Sequence, residues 1–586
     1  MAGLVVAAIM VLLSGCASVP RYDRAGAHPA DCVIYDARVF TSNAKQPWAE
    51  AVAGKDGRLI YVGDNAGAGD FVGSGTRLIC ARGRMLAPGF VDNHCNVLWI
   101  GALMSLMTKE LYDCASMDDL KAALLKQSRE NPDLPFVSGV GWRKDYVPGG
   151  APDPALLDSI IPDRPVYLMA FDAQDGWVNS KGLALMQERN PAAMERMRPI
   201  RDKKTGACTG FRHFHTFSPL DFYTAEQLGA PAKARMMKAM EATLQEALSV
   251  GVTTMHDVQI YRDFVPYILE FRDRGGLERA RVRCAYYVSH LAIRDEKKLK
   301  EDLGWWKALG AKESGAHLEL GTSLKFYIDG TRGNRSSFMS QPFSDDPHNV
   351  GDAMWSEEDF DRAIALADQM GLQACTHSCG DAGCLRVIQA YERARASNGA
   401  RDSRHRLDHC SAPTRDGIER MARAGICAAM QPAHFYADPD IEKALGLERL
   451  QQFMPWRSLE RAGVDLSFGS DWCAGPINPI YGLIVAGNRM NFKGKHDWGP
   501  DERIELSDAI RHWTIDSARA LFMEKDLGSI ETGKYADLVL FDIDLLSLDS
   551  LWFFLTHRTG LGALDRHVRM TMVGGHIVYQ KPDTKL

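Results

Sequence analysis

The chain has 586 residues, 46% hydrophobic and 25% charged, which are the fractions of an ordinary soluble globular protein and exclude disordered, collagenous and coiled-coil chains. Sixty-nine Lys and Arg against 75 Asp and Glu give a net charge of −6, with no basic stripe interleaved with aromatics, so nucleic acid is not an expected partner. No solenoid-type repeat is visible, and the thirteen cysteines are the one unusual count. A chain of this length buries roughly three-quarters of its unfolded surface and needs no disulfide or metal merely to fold.

Residues 3–13, GLVVAAIMVLL, form the only long apolar run. It is too short to span a bilayer but suits the hydrophobic region of a signal peptide. Leu13-Ser14-Gly15-Cys16 follows at once and resembles the lipobox of bacterial lipoproteins, whose cysteine is lipidated and becomes the mature N-terminus. No Lys or Arg precedes the run, which departs from that pattern and leaves an ordinary secretory signal or a misassigned start as alternatives. The resemblance implies a leader over 1–16, lipidation at Cys16, and a membrane anchor on the periplasmic side of a bacterial envelope. Disulfides are permitted in that compartment.

Residues 31–86 read as short strands and turns (CVIYDARVF, GRLIYVG, RLICARGRMLAPGF), and residues 527–586 behave alike (YADLVLFDID, VRMTMVGGHIVYQ). Together they predict a small β-sandwich built from both termini. Cys32 and Cys80 fall in neighbouring strands of it and are candidates for a disulfide, provided their Cα atoms lie within about 7 Å.

The middle of the chain follows a different grammar, in which helical patterns end in Gly and run directly into short apolar strands. Ser356 and Asp359 have capping-box spacing. Phe360, Ile364, Ala367 and Met370 then recur at helical intervals, and Gly371 precedes a strand ending on His377. Eight such strands are predicted, over 90–96, 252–257, 282–288, 324–330, 372–377, 406–409, 426–431 and 466–471. Eight alternating units read as an α/β fold of the (β/α)₈ barrel type over 87–526, with its active site at the C-terminal strand ends. The gap over 97–250 is too long for one helix and predicts an inserted subdomain, placed as a lid.

Polar residues close most of these strands: His94 and Asn96, His256, Lys325 and Asp329, His377, His409, and Ser470 with Asp471. One such histidine has an ordinary hydrogen-bonded explanation. Several together, with Lys and Asp beside them, point to a site for a divalent cation such as Zn²⁺, Mn²⁺ or Fe²⁺. The strand APGFVDNHCN is similar to the PGF-(I/V)-D-x-H-x-H strand of the amidohydrolase superfamily. SLKFYIDG, THSCGDAG, RHRLDHC, MQPAH and FGSDW resemble, in order, the later strand motifs of its amidohydrolase-3 branch, which includes N-substituted formamide deformylases.

The resemblance implies a metal-dependent hydrolase acting on a small-molecule substrate, with one or two zinc ions. His94 would ligate a buried metal, and Lys325 matches a lysine that bridges two metals when N-carboxylated. His377 and His409 would hold the second metal. Asp471 would be both ligand and catalytic general base, and His434 matches a substrate-contacting position. Related barrels often dimerise. Two positions depart from the pattern: Asn96 stands where the second strand-one histidine is expected, and Gln174 stands where an insertion motif carries His. The metal ligand set is therefore His94, Asn96, Lys325, His377, His409 and Asp471, with Asn96 the weak member.

Among the remaining polar residues, Arg332 and Arg335 (in DGTRGNRSS) are candidates for a substrate carboxylate, and Trp142 (in GVGWRKD) for the pocket border. His213 and His215 are candidates for a contact from the lid. The leading expectation is hydrolysis of a non-peptide C–N bond in an N-acyl, N-formyl or cyclic amide. An ester, lactone or carbamate hydrolase, or an envelope binding protein that has lost the chemistry, are the alternatives.

Overall fold

Ser356 caps the helix Glu357–Gln369, its Oγ accepting from the Asp359 amide at 3.2 Å. Phe360, Ala363, Ile364 and Ala367 form its buried stripe. Gly371 closes the helix at φ 75°, where a side chain would be strained, and the Leu372 amide bonds back to the Ala367 carbonyl at 3.0 Å. The chain then enters the strand Gln373–Ser378 directly.

Repeated along the chain, this unit builds the barrel of the computed structural model, which describes residues 29–171, 175–212, 216–437, 441–490, 498–547 and 567–582. Eight strands pair in parallel and in sequence order: β1 (Phe90–Cys95), β2 (Val252–Ile260), β3 (Arg281–Tyr287), β4 (Leu318–Tyr327), β5 (Gln373–Ser378), β6 (Arg406–His409), β7 (Cys427–Met430) and β8 (Leu466–Phe468). The edge strands meet. The Asp471 amide donates to the His94 carbonyl at 2.7 Å, the Ser470 amide to Asp92 Oδ1 at 3.0 Å, and Asn93 Nδ2 to the Ser467 hydroxyl. The sheet thus curls into an α/β barrel. β4 begins earlier than expected, at Leu318, because Gly321 at φ 80° bends the strand without ending its pairing with β3.

Segments from both termini share one six-stranded sheet, in which Met85–Pro88 pairs antiparallel with Leu538–Phe541. A second, four-stranded sheet contains Cys32–Tyr35 and Arg77–Cys80, and Ile34, Val52, Leu86, Leu538 and Met570 fill one common core. The expected Cys32–Cys80 bridge does not form: Cys32 is a free thiol. The parallel register sets Cys32 opposite Arg77 and Cys80 opposite Tyr35, an offset of three residues or roughly 10 Å along the strand.

Between β1 and β2 lies a five-stranded mixed sheet, with Val137–Trp142 at one edge and Pro199–Arg201 at the other. Trp142 is fully buried there. It packs edge-to-face on Trp177 at 5.5 Å and donates Nε1 to the Leu168 carbonyl at 3.3 Å. It is a core residue of the insertion and not a border of the substrate pocket, because both faces of its strand are covered. Cys16 with the leader, Gln174, His213 and His215 lie outside the described residues. Among the described residues no helix is long and apolar enough to cross a membrane.

Candidate metal centre

Alternation along a strand places every second side chain on the inner face, and the C-terminal ends of β1, β6 and β8 converge. His94, His409 and Asp471 each offer a ligand atom there, all within 4.8 Å of one another. His94 Nε2 is 3.5 Å from Asp471 Oδ1, while His409 Nδ1 and His434 Nε2 are 3.9 and 3.7 Å from Oδ2. These separations exceed hydrogen bonds. They suit donors sharing one ion, since ligands about 2.1 Å from a tetrahedral centre sit roughly 3.4 Å apart. His434 Nε2 is buried and has no hydrogen-bond partner, so an electron-pair donor is left facing the same point.

The protonation states agree with that use. Burial lowers His94 to about 4, helped by the Lys325 charge, and lowers His434 to about 3, helped by Arg332. Burial and the neighbouring His377 and His94 hold His409 well below the usual histidine value. All three imidazoles are therefore neutral at pH 7, the form that binds metal. Burial raises the Asp471 carboxyl to about 7, against the opposing charge of Lys325.

Asp471 sits just beyond β8 with φ 51°, a left-handed conformation rare outside glycine and often found at functional sites. Amides of Ala474 and Gly475 donate to its carbonyl at 2.7 and 3.1 Å and hold the turn. Asp92 secures the same seam from β1 by accepting the amide and hydroxyl of Ser470.

Behind His94, His409 and Asp471 lies a buried charge cluster centred on Asp408, a residue that the strand-end pattern does not single out. Lys325, 0% exposed, donates Nζ to Asp408 Oδ2 at 2.7 Å. Arg406 Nε lies 2.8 Å from Oδ1, and His94 Nδ1 lies 3.2 Å from Oδ2. Burial alone would raise the Asp408 carboxyl, but Arg406 and Lys325 hold it well below the usual carboxylate range. Asp408 thereby faces the Nδ1 side of the His94 ring without a hydrogen bond to it, and Nε2 points toward Asp471. Arg406 and Asp408 stand two apart on one inward face, and this spacing was the signal available in RHRLDHC.

The other expected ligands are placed differently. Asn96 donates Nδ2 to Asp471 Oδ1 at 3.3 Å and to the Trp472 carbonyl at 3.4 Å, while its Oδ1, the atom able to ligate, is buried without a hydrogen-bond partner. His377 stands beside His409, ring centroids 4.4 Å apart, yet its Nε2 faces the Gly330 carbonyl at 3.1 Å. His256 is a structural histidine bonded to the Asn93 carbonyl and the Ser323 hydroxyl. Asp329 shapes the loops above the barrel by accepting the amides of Phe338, Cys379 and Gly380. Burial pushes Cys375 to about 11 and Cys379 to about 12, and neither thiol joins the group formed by His94, His409 and Asp471. Arg335 is paired with Asp345 at the surface, whereas Arg332 is buried.

The comparisons with known proteins agree with this architecture. "Protein LONG AFTER FAR-RED 3" of Arabidopsis thaliana is 28% identical over 530 residues, 87% of each chain. "N-substituted formamide deformylase" of Arthrobacter pascens is 24% identical over 530 residues, covering 88% of this chain and 94% of that one. In fold the chain is similar to the crystal structure of an uncharacterized metal-dependent hydrolase from Pyrococcus horikoshii OT3. The TM-score is 0.68 at 21% identity, over 88% of this chain and 98% of that one. Since the amidohydrolase family profile matches residues 77–579, nearly the whole of the described chain, the protein belongs to the amidohydrolase family.

Proposed function

We propose that the protein hydrolyses a non-peptide C–N bond in a small N-acyl, N-formyl or cyclic amide, using one divalent cation held by His94, His409 and Asp471. The observation carrying this reading is the convergence of two neutral imidazoles and a carboxylate at the barrel's C-terminal mouth, with the unpartnered His434 Nε2 beside them. Two nitrogens and an oxygen form a borderline donor set, for which zinc is the favoured ion. A cation there supplies Lewis acidity, making water acidic near neutral pH and polarising the scissile carbonyl.

The residues of the chain divide the remaining work. Lys325 opposes the effect of burial on Asp471, a cation bound there would favour its ionised form further, and Asp471 accepts the proton of the attacking water. Asn96 Nδ2 anchors Asp471 Oδ1, so Oδ2 is the oxygen left to carry that proton. Asp471 then returns it to the leaving nitrogen as the C–N bond breaks, giving a carboxylic acid and an amine. The relative named N-substituted formamide deformylase supports an amide as the substrate class. The lipobox-like LSGC segment supports work at an envelope membrane, tested by whether Cys16→Ser moves the protein from the membrane to the soluble fraction.

The test combines metal analysis with turnover of a panel of N-formyl and N-acetyl amines. About one equivalent of metal is expected, with activity lost on chelation and restored by zinc or manganese. Asp471→Asn should lower kcat by roughly a thousandfold. Asn96→His should tighten metal retention by adding a second imidazole from β1. Full turnover without metal, or full activity in Asp471→Asn, would refute the proposal.

A further inference from the structure

Arg332 lies on the loop after β4 and is 7% exposed. Its guanidinium brings a charge into the interior without an acceptor. Nε and Nη1 are buried and make no hydrogen bond, and among the described residues no carboxylate lies within ion-pair distance. The flat face rests on the Phe453 ring, 4.6 Å from Cζ, a contact that leaves the N–H edges open. Arg281 and Arg489 are satisfied, the first by Asp537 at 2.8 Å and the second by the carbonyls of Met454 and Phe453 at 2.6 and 2.7 Å, and Arg406, whose nitrogens also lack hydrogen bonds, still faces a carboxylate, Asp408, at 2.8 Å. The acid closest in sequence, Asp329, is spent on the three backbone amides above.

The loop also sits at the mouth of the metal centre. The Gly330 carbonyl faces His377 Nε2 at 3.1 Å. Phe453, the ring under the guanidinium, stacks on Phe435 with centroids 6.1 Å apart, and Phe435 follows His434, whose Nε2 is 3.7 Å from Asp471. Burying an unpaired charge is costly, and a fold retains one where the partner arrives from outside. A guanidinium edge offers two parallel N–H groups, which match the two oxygens of a carboxylate.

We infer that Arg332 is a specificity-determining residue that pairs with a carboxylate on the substrate, so that the molecule cleaved is an acidic amide. This rests on the hydrolytic reading above for the bond broken, but not for the recognition itself.

Zinc-loaded protein is assayed with N-formylglycine, N-formyl-β-alanine and N-formyl-4-aminobutyrate beside their methyl amides, which keep the size and remove the charge. The best acid should exceed its methyl amide by about 30-fold in kcat/KM, mostly through KM. Arg332→Met should lose more on the acid than on the amide by about the same factor. Arg332→Lys, which keeps the charge but not the fork, should recover part of the loss. Metal content and circular dichroism are read for both variants, and Arg332→Lys carries the comparison if Arg332→Met does not fold. Equal preference in the wild type, or equal losses on acid and amide, overturns the inference. If none of the six compounds is hydrolysed, the hydrolytic reading fails for this class and recognition is judged by calorimetry. Binding of the acids at least about tenfold tighter than of the amides, lost in the variant, upholds the role of Arg332, and equal binding overturns it.

Discussion

Replacing Asp408 by Asn keeps the shape of the cluster and removes its only acid. In the wild type that carboxylate lies 2.7 Å from Lys325 Nζ and 2.8 Å from Arg406 Nε, and all three side chains are 0% exposed. Without it, two cations stay buried facing a neutral amide. Removing one partner of a buried pair costs about 3–5 kcal/mol, against a typical domain stability of about 5–15 kcal/mol. Asp408→Asn should therefore lower the unfolding free energy by about 4 kcal/mol. Lys325→Met in the same chain should return about half of that, a coupling of about 2 kcal/mol between the two sites. The assay is urea unfolding of metal-free wild type, both single variants and the double variant at pH 7, followed by tryptophan fluorescence. A cost under about 1 kcal/mol for Asp408→Asn, or a coupling near zero, would refute the cluster as an ion-paired scaffold. A coupling of opposite sign would show that Lys325 carries a negative carbamate, because the two groups would then repel.

Two further outcomes follow from the same reasoning. His512 lies between Glu460 at 2.8 Å and Asp516 at 2.9 Å, and although burial opposes its charge, these carboxylates raise its pKa from 6.5 to about 9. A raised value stabilises the fold fully below about pH 6.5, and the gain fades as pH climbs through about 9. The difference of 9 minus 6.5 corresponds to about 3 kcal/mol. Denaturation midpoints of wild type and His512→Gln should accordingly converge between pH 6 and 10, and parallel profiles would count against the assignment. Trp142→Ala should cost about 3–5 kcal/mol through loss of core packing in the insertion, seen as a lower melting temperature. A raised KM at unchanged melting temperature would instead return Trp142 to the substrate pocket.

The barrel was legible because its local signals agree: a cap, an apolar stripe, a left-handed glycine and a short strand recur in phase. Ser356 to Ser378 shows all four, and the expected strand over 372–377 is the observed Gln373–Ser378. The position of His94, His409 and Asp471 at strand ends was legible for the same reason. The direction of a terminal side chain was not. His409 has φ 68° and Asp471 φ 51°, so simple alternation fails at the residues where it matters, and Asp408 and His409 both serve the interior although adjacent. The side of the Asn96 amide that faces the site depends on a carboxylate 375 residues away, which spacing cannot reveal. For Trp142 the sequence leaves packing and a pocket border both open, packing being the commoner role of a tryptophan in a glycine-rich stretch, and its burial decides for packing. Most of the cysteines behave as small buried apolar side chains: among the described residues eight are buried free thiols.

The seam between β1 and β8 has a temporal meaning as well as a spatial one. His94 is synthesised early and Asp471 late, and at about 5–20 residues per second the interval between them is roughly 20–75 s. Throughout it the nascent chain holds single imidazoles on unclosed strands and no assembled donor set. Under the proposed function, metal capture waits until Asp471 has been made. A chain that stops short of Asp471 loses, in the same event, a hydrogen bond that closes β8 on β1 and the carboxylate that faces His94.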